Sequence, residues 1–368
     1  MEQKEIRVLH VDTERGWRGG QQQAGYLADH MNRMGYQTAI VCHPRSAFRN
    51  FARSHKIKHY SIDMNGEMDF IAGLHIGLLA FKNHYNILHL HSGHALAIGL
   101  WAKLFNRRLK LVATRRVDFH LHRSKFSRFK YDNRFLNKII CISDRIKEVL
   151  LEDRIPERKL VTIHSGVDIH KFDSVVPPAN LKDQFSIPSN NLIIGTVAAL
   201  VGHKDYPNLI TAAKQVIEQR PDVTFIAVGD GNQKRILELM VKSMGLKNHF
   251  IFTGFRDDVG SFLKIFDIFV LASHLEGLGT SILDAQAVGL PVIATKTGGI
   301  PEAVQHEKNG LLVPPNSATD LANAIIRLCD DEGLRKQLGT RGRETVERFS
   351  IENTVEKNIK IYEELLHG

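Results

Sequence analysis

Short β-branched runs alternate with longer helix-periodic stretches, stop once, and begin again; this rhythm restricts the fold more than any other feature of the chain. The runs Ile6 to Val11, Thr38 to Cys42, Ile87 to His91, Leu109 to Ala113, Lys138 to Ile142 and Val161 to Ile163 predict buried strands. Their alternation with helical patterns predicts βαβ units on a parallel sheet. The rhythm breaks at 173–191, where Pro177-Pro178, Pro188 and Ser189-Asn190-Asn191 make a turn-rich connector. It resumes with strands at 192–197, 223–228, 250–253, 268–271 and 291–295, separated by helical patterns near 208–218, 234–244, 282–288 and 317–328. The expectation is an α/β protein with two Rossmann-like parallel-sheet domains, at 1–170 and 171–348, followed by a helix over 349–368. That helix carries Ile351, Val355, Ile359, Tyr362 and Leu365 on one face.

Composition narrows the function classes. The 368 residues are 43% hydrophobic and 24% charged, which suits folded domains and excludes low-complexity and collagen-like chains. The most apolar stretches, 71–81 and 95–105, are interrupted by His75 or Lys103 and fall short of the roughly 20 residues a membrane span needs. The first residues lead directly into a strand, leaving no room for a signal peptide's apolar core. Cys42, Cys141 and Cys329 lack CxxC spacing, so a reducing cytoplasm is expected.

Charge is unevenly spread. Residues 1–170 hold 28 basic and 16 acidic side chains, a net +12, whereas 171–368 hold 21 and 24, a net −3. Between Lys103 and Lys138 twelve cations, Arg123 and Lys125 among them, face only Asp118 and Asp132. Phe105, Phe119, Phe126, Phe129, Tyr131 and Phe135 are interleaved with them. Cations with a few inserted rings suit an anionic membrane surface. The other reading is a solvated basic face whose aromatics point into the core. No nucleic-acid partner is expected, although nucleic acid attracts the same charges. Location is expected to be cytoplasmic, with peripheral attachment to the inner face of the membrane as the variant this region favours.

In parallel α/β sheets ligands bind beyond the carboxyl ends of the strands, so the distinctive loops there are the candidates. Arg15-Gly16-Trp17-Arg18-Gly19-Gly20 follows the first strand, and Gly19 and Gly20 either bring backbone amides to a phosphate or sugar or simply make a tight turn. The strand at 268–271 leads into Glu276-Gly277-Leu278-Gly279-Thr280-Ser281 and a helix bearing Asp284. There Thr280 or Ser281 can cap the helix and its amides can receive a diphosphate. Glu276 and Asp284 can face one bound molecule and accept from sugar and ribose hydroxyls, or can be a capping acid and a solvated acid. His89 and His91 have ligand spacing on a strand but no neighbouring cysteine or carboxylate, so no metal is expected; His91 or His94 is instead a candidate for the cleft edge, where acceptor contacts are also assigned to Arg18.

Taken in order, Gly195-Thr196-Val197-Ala198-Ala199-Leu200 with Lys204, Val228-Gly229-Asp230-Gly231, Phe252-Thr253-Gly254-Phe255, Glu276 through Asp284, and Thr297-Gly298-Gly299-Ile300-Pro301-Glu302 resemble the donor-binding half of retaining family 4 glycosyltransferases with the GT-B fold. Gly19-Gly20 and His164-Ser165-Gly166-Val167-Asp168 extend the resemblance over nearly the whole chain. It implies two Rossmann-like domains facing a central cleft, with an acceptor-binding N-terminal domain, a nucleotide-sugar-binding C-terminal domain and a final helix packing back on the first.

The resemblance also assigns residues. Lys204 matches a lysine that neutralises the donor diphosphate, while the arginine paired with it in the family is Ala199 here. Glu276 matches the carboxylate on the transferred sugar, and Asp284 the one on the ribose, with a side chain shorter by about 1.5 Å. Gly229 and Asp230 match donor-loop positions, and Gly254-Phe255 resembles the segment that contacts the base. Where a family histidine follows a first-domain strand, this chain has Arg115 and Arg116, either of which can supply the missing positive charge on the leaving phosphate; Arg116 is assigned to catalysis and Arg115 to the acceptor.

The expected activity is therefore retaining transfer of a sugar from a nucleotide-diphosphate sugar to a saccharide or glycolipid acceptor of the envelope or lipopolysaccharide type, catalysed by Glu276, Lys204 and Arg116. No cofactor is expected, since the sequence lacks the Asp-x-Asp pair that holds a divalent ion in the other major glycosyltransferase fold. A nucleotide-sugar epimerase of related fold and a non-enzymatic basic scaffold for anionic polymers are the alternatives.

Overall fold

The computed structural model describes residues 5–121 and 125–368, apart from the side chains of Lys125 and Phe126. His122 and Arg123 lie outside the described residues, as do the side-chain expectations for Lys125 and Phe126. The chain divides into two compact units, Met1–Gly166 with Ile351–Gly368 and Val167–Ser350.

In the first unit seven parallel strands form one sheet: β1 (Arg7–Asp12), β2 (Gln37–Cys42), β3 (Lys58–Ser61), β4 (Ile87–Leu90), β5 (Lys110–Arg115), β6 (Leu136–Cys141) and β7 (Leu160–Thr162), ordered β3-β2-β1-β4-β5-β6-β7. The strand order reverses between β1 and β4, the switch point at which open parallel sheets leave a crevice. Asp12, His91 and Arg116 stand at the carboxyl ends of β1, β4 and β5. The last helix, Ile351–His367, places Ile351, Val355, Ile359 and Tyr362 in one apolar core with Ile6, Val8, Leu27 and Met31.

In the second unit six parallel strands form the other sheet: β8 (Leu192–Val197), β9 (Val223–Val228), β10 (Phe250–Gly254), β11 (Ile268–Leu271), β12 (Val292–Thr295) and β13 (Leu311–Val313), ordered β10-β9-β8-β11-β12-β13. Its switch point lies between β8 and β11. Tyr206, Phe225, Phe250, Ile268 and Val270 share its core.

The edge strands β3 and β13 depart from the sequence expectation. β3 reads Lys58-His59-Tyr60-Ser61 and has no fully buried residue, because an edge strand has one partner and open flanks. β13 has only three residues, too few to register as an apolar run. The three cysteines are buried and free, and burial pushes each thiol above its ordinary value.

Candidate active site

The second unit laces its loops together at the carboxyl edge of the sheet. After β8 a short turn, Gly202–Lys204, ends on Asp205 in the left-handed region (φ 49°) and starts the helix Tyr206–Gln219. After β11 the chain passes through Glu276 and enters the helix Thr280–Ala287. The His274 amide donates to the His203 carbonyl at 3.0 Å, and the Gly299 amide to the Glu276 carbonyl at 3.2 Å, so the loops after β8, β11 and β12 are tied in sequence. The Lys204 ammonium forms an ion pair with the Glu276 carboxylate, which also accepts from Ser273 Oγ at 3.3 Å. Residues 72 positions apart, assigned separately to phosphate and sugar, are thus in direct contact.

The expected cap on Thr280 or Ser281 is not formed. The helix begins at Thr280, two residues earlier than its apolar pattern indicates, and the N-cap is Gly279 with φ 81°, a conformation glycine adopts without strain. The Thr280 and Ser281 amides therefore have no capping oxygen from either hydroxyl and no intrahelical carbonyl, whereas the Ile282 amide donates to the Gly279 carbonyl at 2.8 Å. Asp284 lies one turn inside and accepts from Lys171 Nζ at 2.7 Å. Lys171 carries no signal in the sequence because it lies outside every motif, between Asp168 and the connector at 173–191.

Gly229 leaves β9 with φ 146°, and a Cβ there would stand 2.1 Å from the Ala198 carbonyl oxygen, so no other residue fits. Its amide donates to the Gly254 carbonyl at 3.0 Å, and Asp230 accepts the Leu200 amide on its carbonyl and the Gly231 amide, at 2.7 Å, on its carboxylate. Gly254 and the largely exposed ring of Phe255 complete this edge. Lys234 brings a further cation close to Gly254, its Nζ 3.6 Å from a Cβ built there, which the sequence reading did not single out.

The carboxyl edge of the first sheet is buried. Arg116 is half-buried, packs its Cδ 3.3 Å from where a Cβ on Gly20 would be, and reaches His91 Nδ1 at 3.4 Å; its Nε is shut off from water and has no hydrogen-bond partner. Burial lowers its basicity to about 10, partly offset by the nearby Asp12. Asp12 accepts both oxygens' worth of contact from Gln21 Nε2, at 3.2 and 3.1 Å, and the Glu14 amide at 2.8 Å, yet burial still raises it to about 6. Beneath them His10, His89 and His91 lie against one another. Burial drives His10 down to about 3 and holds the other two well below the usual histidine range, so all three rings are neutral at pH 7.

Their nitrogens gather within 4.8 Å, but the donor set suits a metal poorly. His89 bonds Tyr362 Oη at 2.6 Å and Thr114 Oγ1 at 2.7 Å, His10 and His91 bond each other at 3.0 Å, and the Arg116 cation is adjacent.

Of the residues assigned to the acceptor, Arg18 is exposed and takes the N-cap position of the helix Gly19–Arg33, and His94 is exposed, 3.9 Å from Glu67. Gly19 and Gly20 open that helix rather than forming a separate turn. Arg115 is buried, its guanidinium donates to the Val117 and Phe119 carbonyls and to Tyr131 Oη, and it lies over the Phe119 and Tyr131 rings. Those contacts hold its own loop and leave Arg116 as the arginine beside the histidines.

Two parallel α/β domains, each with its polar groups on the carboxyl edge of the sheet, define a GT-B glycosyltransferase. Residues 17–171 match the model for Glycosyltransferase Family 4, and residues 179–345 match that for Glycosyl transferases group 1. The chain belongs to this glycosyltransferase family, and the scaffold reading gives way. It is 28% identical over 293 residues, 76% of each chain, to the Escherichia coli UDP-Gal:alpha-D-GlcNAc-diphosphoundecaprenol alpha-1,3-galactosyltransferase. It is 26% identical over 323 residues, 84% of this chain and 83% of the other, to N-acetyl-alpha-D-glucosaminyl L-malate synthase of Bacillus anthracis. Among solved structures it is similar to a Rickettsia africae glycosyltransferase (25% identity, TM-score 0.86, 98% and 99% of the two chains covered). The Anabaena HepE complex with UDP and glucose shares the fold at 22% identity (TM-score 0.86, 98% and 100% covered).

Proposed function

We propose that the enzyme transfers a sugar, with retention, from a UDP-sugar to a lipid-carried saccharide of the cell envelope, without a metal cofactor and at the cytoplasmic face of the membrane. The observation that carries the reading is the Lys204–Glu276 ion pair beside the opening turn of the helix Thr280–Ala287. A diphosphate is a stronger partner for an ammonium than one carboxylate, so donor binding exchanges the pair: Lys204 and the helix amides take the phosphates, and Glu276 is released to accept a sugar hydroxyl. Asp284, now held by Lys171, is assigned to the ribose on the same logic.

Breaking the bond between the anomeric carbon and the phosphate oxygen puts negative charge on UDP, which prealigned cations and amides stabilise. The acceptor oxygen forms its bond to the same face of that carbon while its proton passes to the departing phosphate oxygen. No separate protein base is needed. Arg116 is proposed as the first domain's contribution to turnover. The E. coli relative, named for a UDP-galactose donor and a diphosphoundecaprenol-linked acceptor, supports the choice of substrates.

Thermal stabilisation by UDP-, GDP- and ADP-sugars, followed by transfer assays with EDTA present, tests the reading. UDP-sugars should stabilise the chain, and NMR should show a product anomer matching the donor. Stabilisation by none of them, conversion of the donor without an acceptor, an inverted anomer, or collapse of turnover in EDTA would each refute the corresponding part.

A further inference from the structure

The helix Phe70–Lys82 is apolar on both sides. Its inner side meets the helix Gly93–Phe105 at glycine contacts: a Cβ on Gly73 would strike Trp101 Cβ at 2.4 Å, and one on Gly77 would stand 2.8 Å from the Ala102 carbonyl and 3.1 Å from Phe105 Cβ. The two helices therefore run side by side with their carboxyl ends together. On the outer side Phe70, Ile71, Leu74, Leu78, Phe81 and Lys82 fall within about 120° of arc at 3.6 residues per turn.

Phe70, Ile71, Leu78 and Phe81 are 43–61% exposed, and Leu104 and Phe105 join them at the end of the second helix. Scattered single apolar residues on a surface are ordinary; a helix face of this kind marks an interaction site.

Cations rim it. Arg107 and Arg108 follow Phe105 and are exposed. A depression of about 370 Å³ beside Leu104 is lined by Arg107, Arg134, Phe135 and Asn137, and a shallower one of about 720 Å³ by Arg128, Phe129, Arg134 and Phe135. Arg134 and Phe135 line both, so the surface is continuous from the helix end to the exposed Phe129 ring. Asp132 is the carboxylate lining either depression.

Apolar rings projecting from a cationic rim match a bilayer, where rings enter the acyl boundary and arginines meet headgroup phosphates. A second copy of the chain fits worse, because a two-fold interface sets the same arginines against each other. Nucleic acid leaves the aliphatic face unexplained.

We propose that this face, centred on Phe81, Phe105, Arg107 and Arg134, docks the first domain on a membrane carrying anionic lipid. The assignment deepens the reading of a lipid-carried acceptor. It also reshapes the contact: Tyr131 is buried beneath Arg115 and drops out, Phe129 stays on the surface, and the helix Phe70–Lys82 is added to it.

Cosedimentation of the full chain with vesicles of phosphatidylcholine alone, or mixed equally with phosphatidylglycerol, tests it without donor or acceptor, so that failure here leaves sugar transfer standing and failure of transfer leaves this standing. Pelleting is expected with the anionic vesicles only. Arg107→Glu with Arg134→Glu should weaken it by at least about 30-fold, taking about 1 kcal/mol per cation. Phe81→Ser with Phe105→Ser should weaken it comparably, with circular dichroism and melting temperature confirming that both variants fold. Equal pelleting with both vesicle types, or unchanged binding in either folded variant, overturns the proposal. So does a dimer in sedimentation velocity that Phe81→Ser with Phe105→Ser dissolves while no vesicle binding occurs, which assigns the face to a second copy.

Discussion

The carboxyl edges of the two sheets solve the problem of holding charge in opposite ways. In the second domain two of the acidic candidates are paired with lysines at the half-open rim, Glu276 with Lys204 and Asp284 with Lys171. In the first domain a half-buried Arg116, its Nε closed off from water, lies beside neutral histidines and an Asp12 whose carboxyl burial raises to about 6. Paired charges at a rim can be exchanged for a ligand's charges at small cost. A cation whose Nε is buried and unpartnered is held by packing and is less easily rearranged. The difference suits the proposed division of roles, with donor capture on the adaptable side and a fixed electrostatic contribution on the other.

Removing the exchangeable pair should have the largest effect. Lys204→Ala should lower turnover about 10²–10³-fold and weaken UDP-, GDP- and ADP-sugars alike, since it touches no base; Glu276→Gln should lower turnover by a similar factor while leaving UDP binding nearly intact. Steady-state kinetics with isothermal titration separates the two. If both variants kept full turnover, the contrast between the edges would lose its functional half.

Arg116→Ala should follow, with turnover down about 100-fold. Arg115→Ala is the control: its guanidinium holds three groups of its own loop, so it should lower the melting temperature more than Arg116→Ala and turnover less. Unchanged donor affinity and turnover in Arg116→Ala would remove that residue from the reaction.

The contrast also explains what was legible in the sequence. Strands β8, β9 and β11 begin and end where their β-branched runs do, because central strands are buried on both faces and read as unbroken apolar segments. β3 and β13 leave little trace for the opposite reason. Glu276, Lys204 and Asp284 were legible as types because loop chemistry leaves local motifs. Their partners were not: the Lys204–Glu276 contact spans 72 residues, Lys171 lies outside every motif, and the three-histidine stack joins β1 to β4 and the last helix, a juxtaposition only the sheet order creates. The choice of Arg116 over Arg115 depended on strand register, which points adjacent side chains to opposite faces.

Acidification should expose the buried edge next. The unfolded chain binds protons at His10, His89 and His91 below about pH 6.5, and the folded domain refuses them, so each histidine withdraws about 1.4 kcal/mol per pH unit as pH falls. Asp12 opposes them: its folded value near 6 exceeds the ordinary 3.8, so folding takes up a proton between those values and regains one such increment. The net expectation is a loss equivalent to about two protons between about pH 6 and 4, read from urea unfolding of the first domain's transition. His10→Gln should reduce the slope by about one proton. A stability flat over this range would mean the histidines are charged in the folded domain.

The smallest effect belongs to the rim. Phe255 is 59% exposed at the end of β10, an apolar ring with no core to fill, next to the Gly254 carbonyl that Gly229 fixes. A ring so placed gains contact area by stacking on a planar base, an interaction of about 1–3 kcal/mol by alanine substitution that falls at the low end when the ring remains half in water. Phe255→Ala should therefore weaken UDP by about fivefold and change the UDP-to-ADP affinity ratio, while leaving inorganic pyrophosphate binding and the melting temperature of the free chain unchanged. Equal losses for UDP and pyrophosphate would place the ring against the phosphates, and the division of the donor edge into a base-reading end at β10 and a phosphate-reading end at β8 and β11 would not hold.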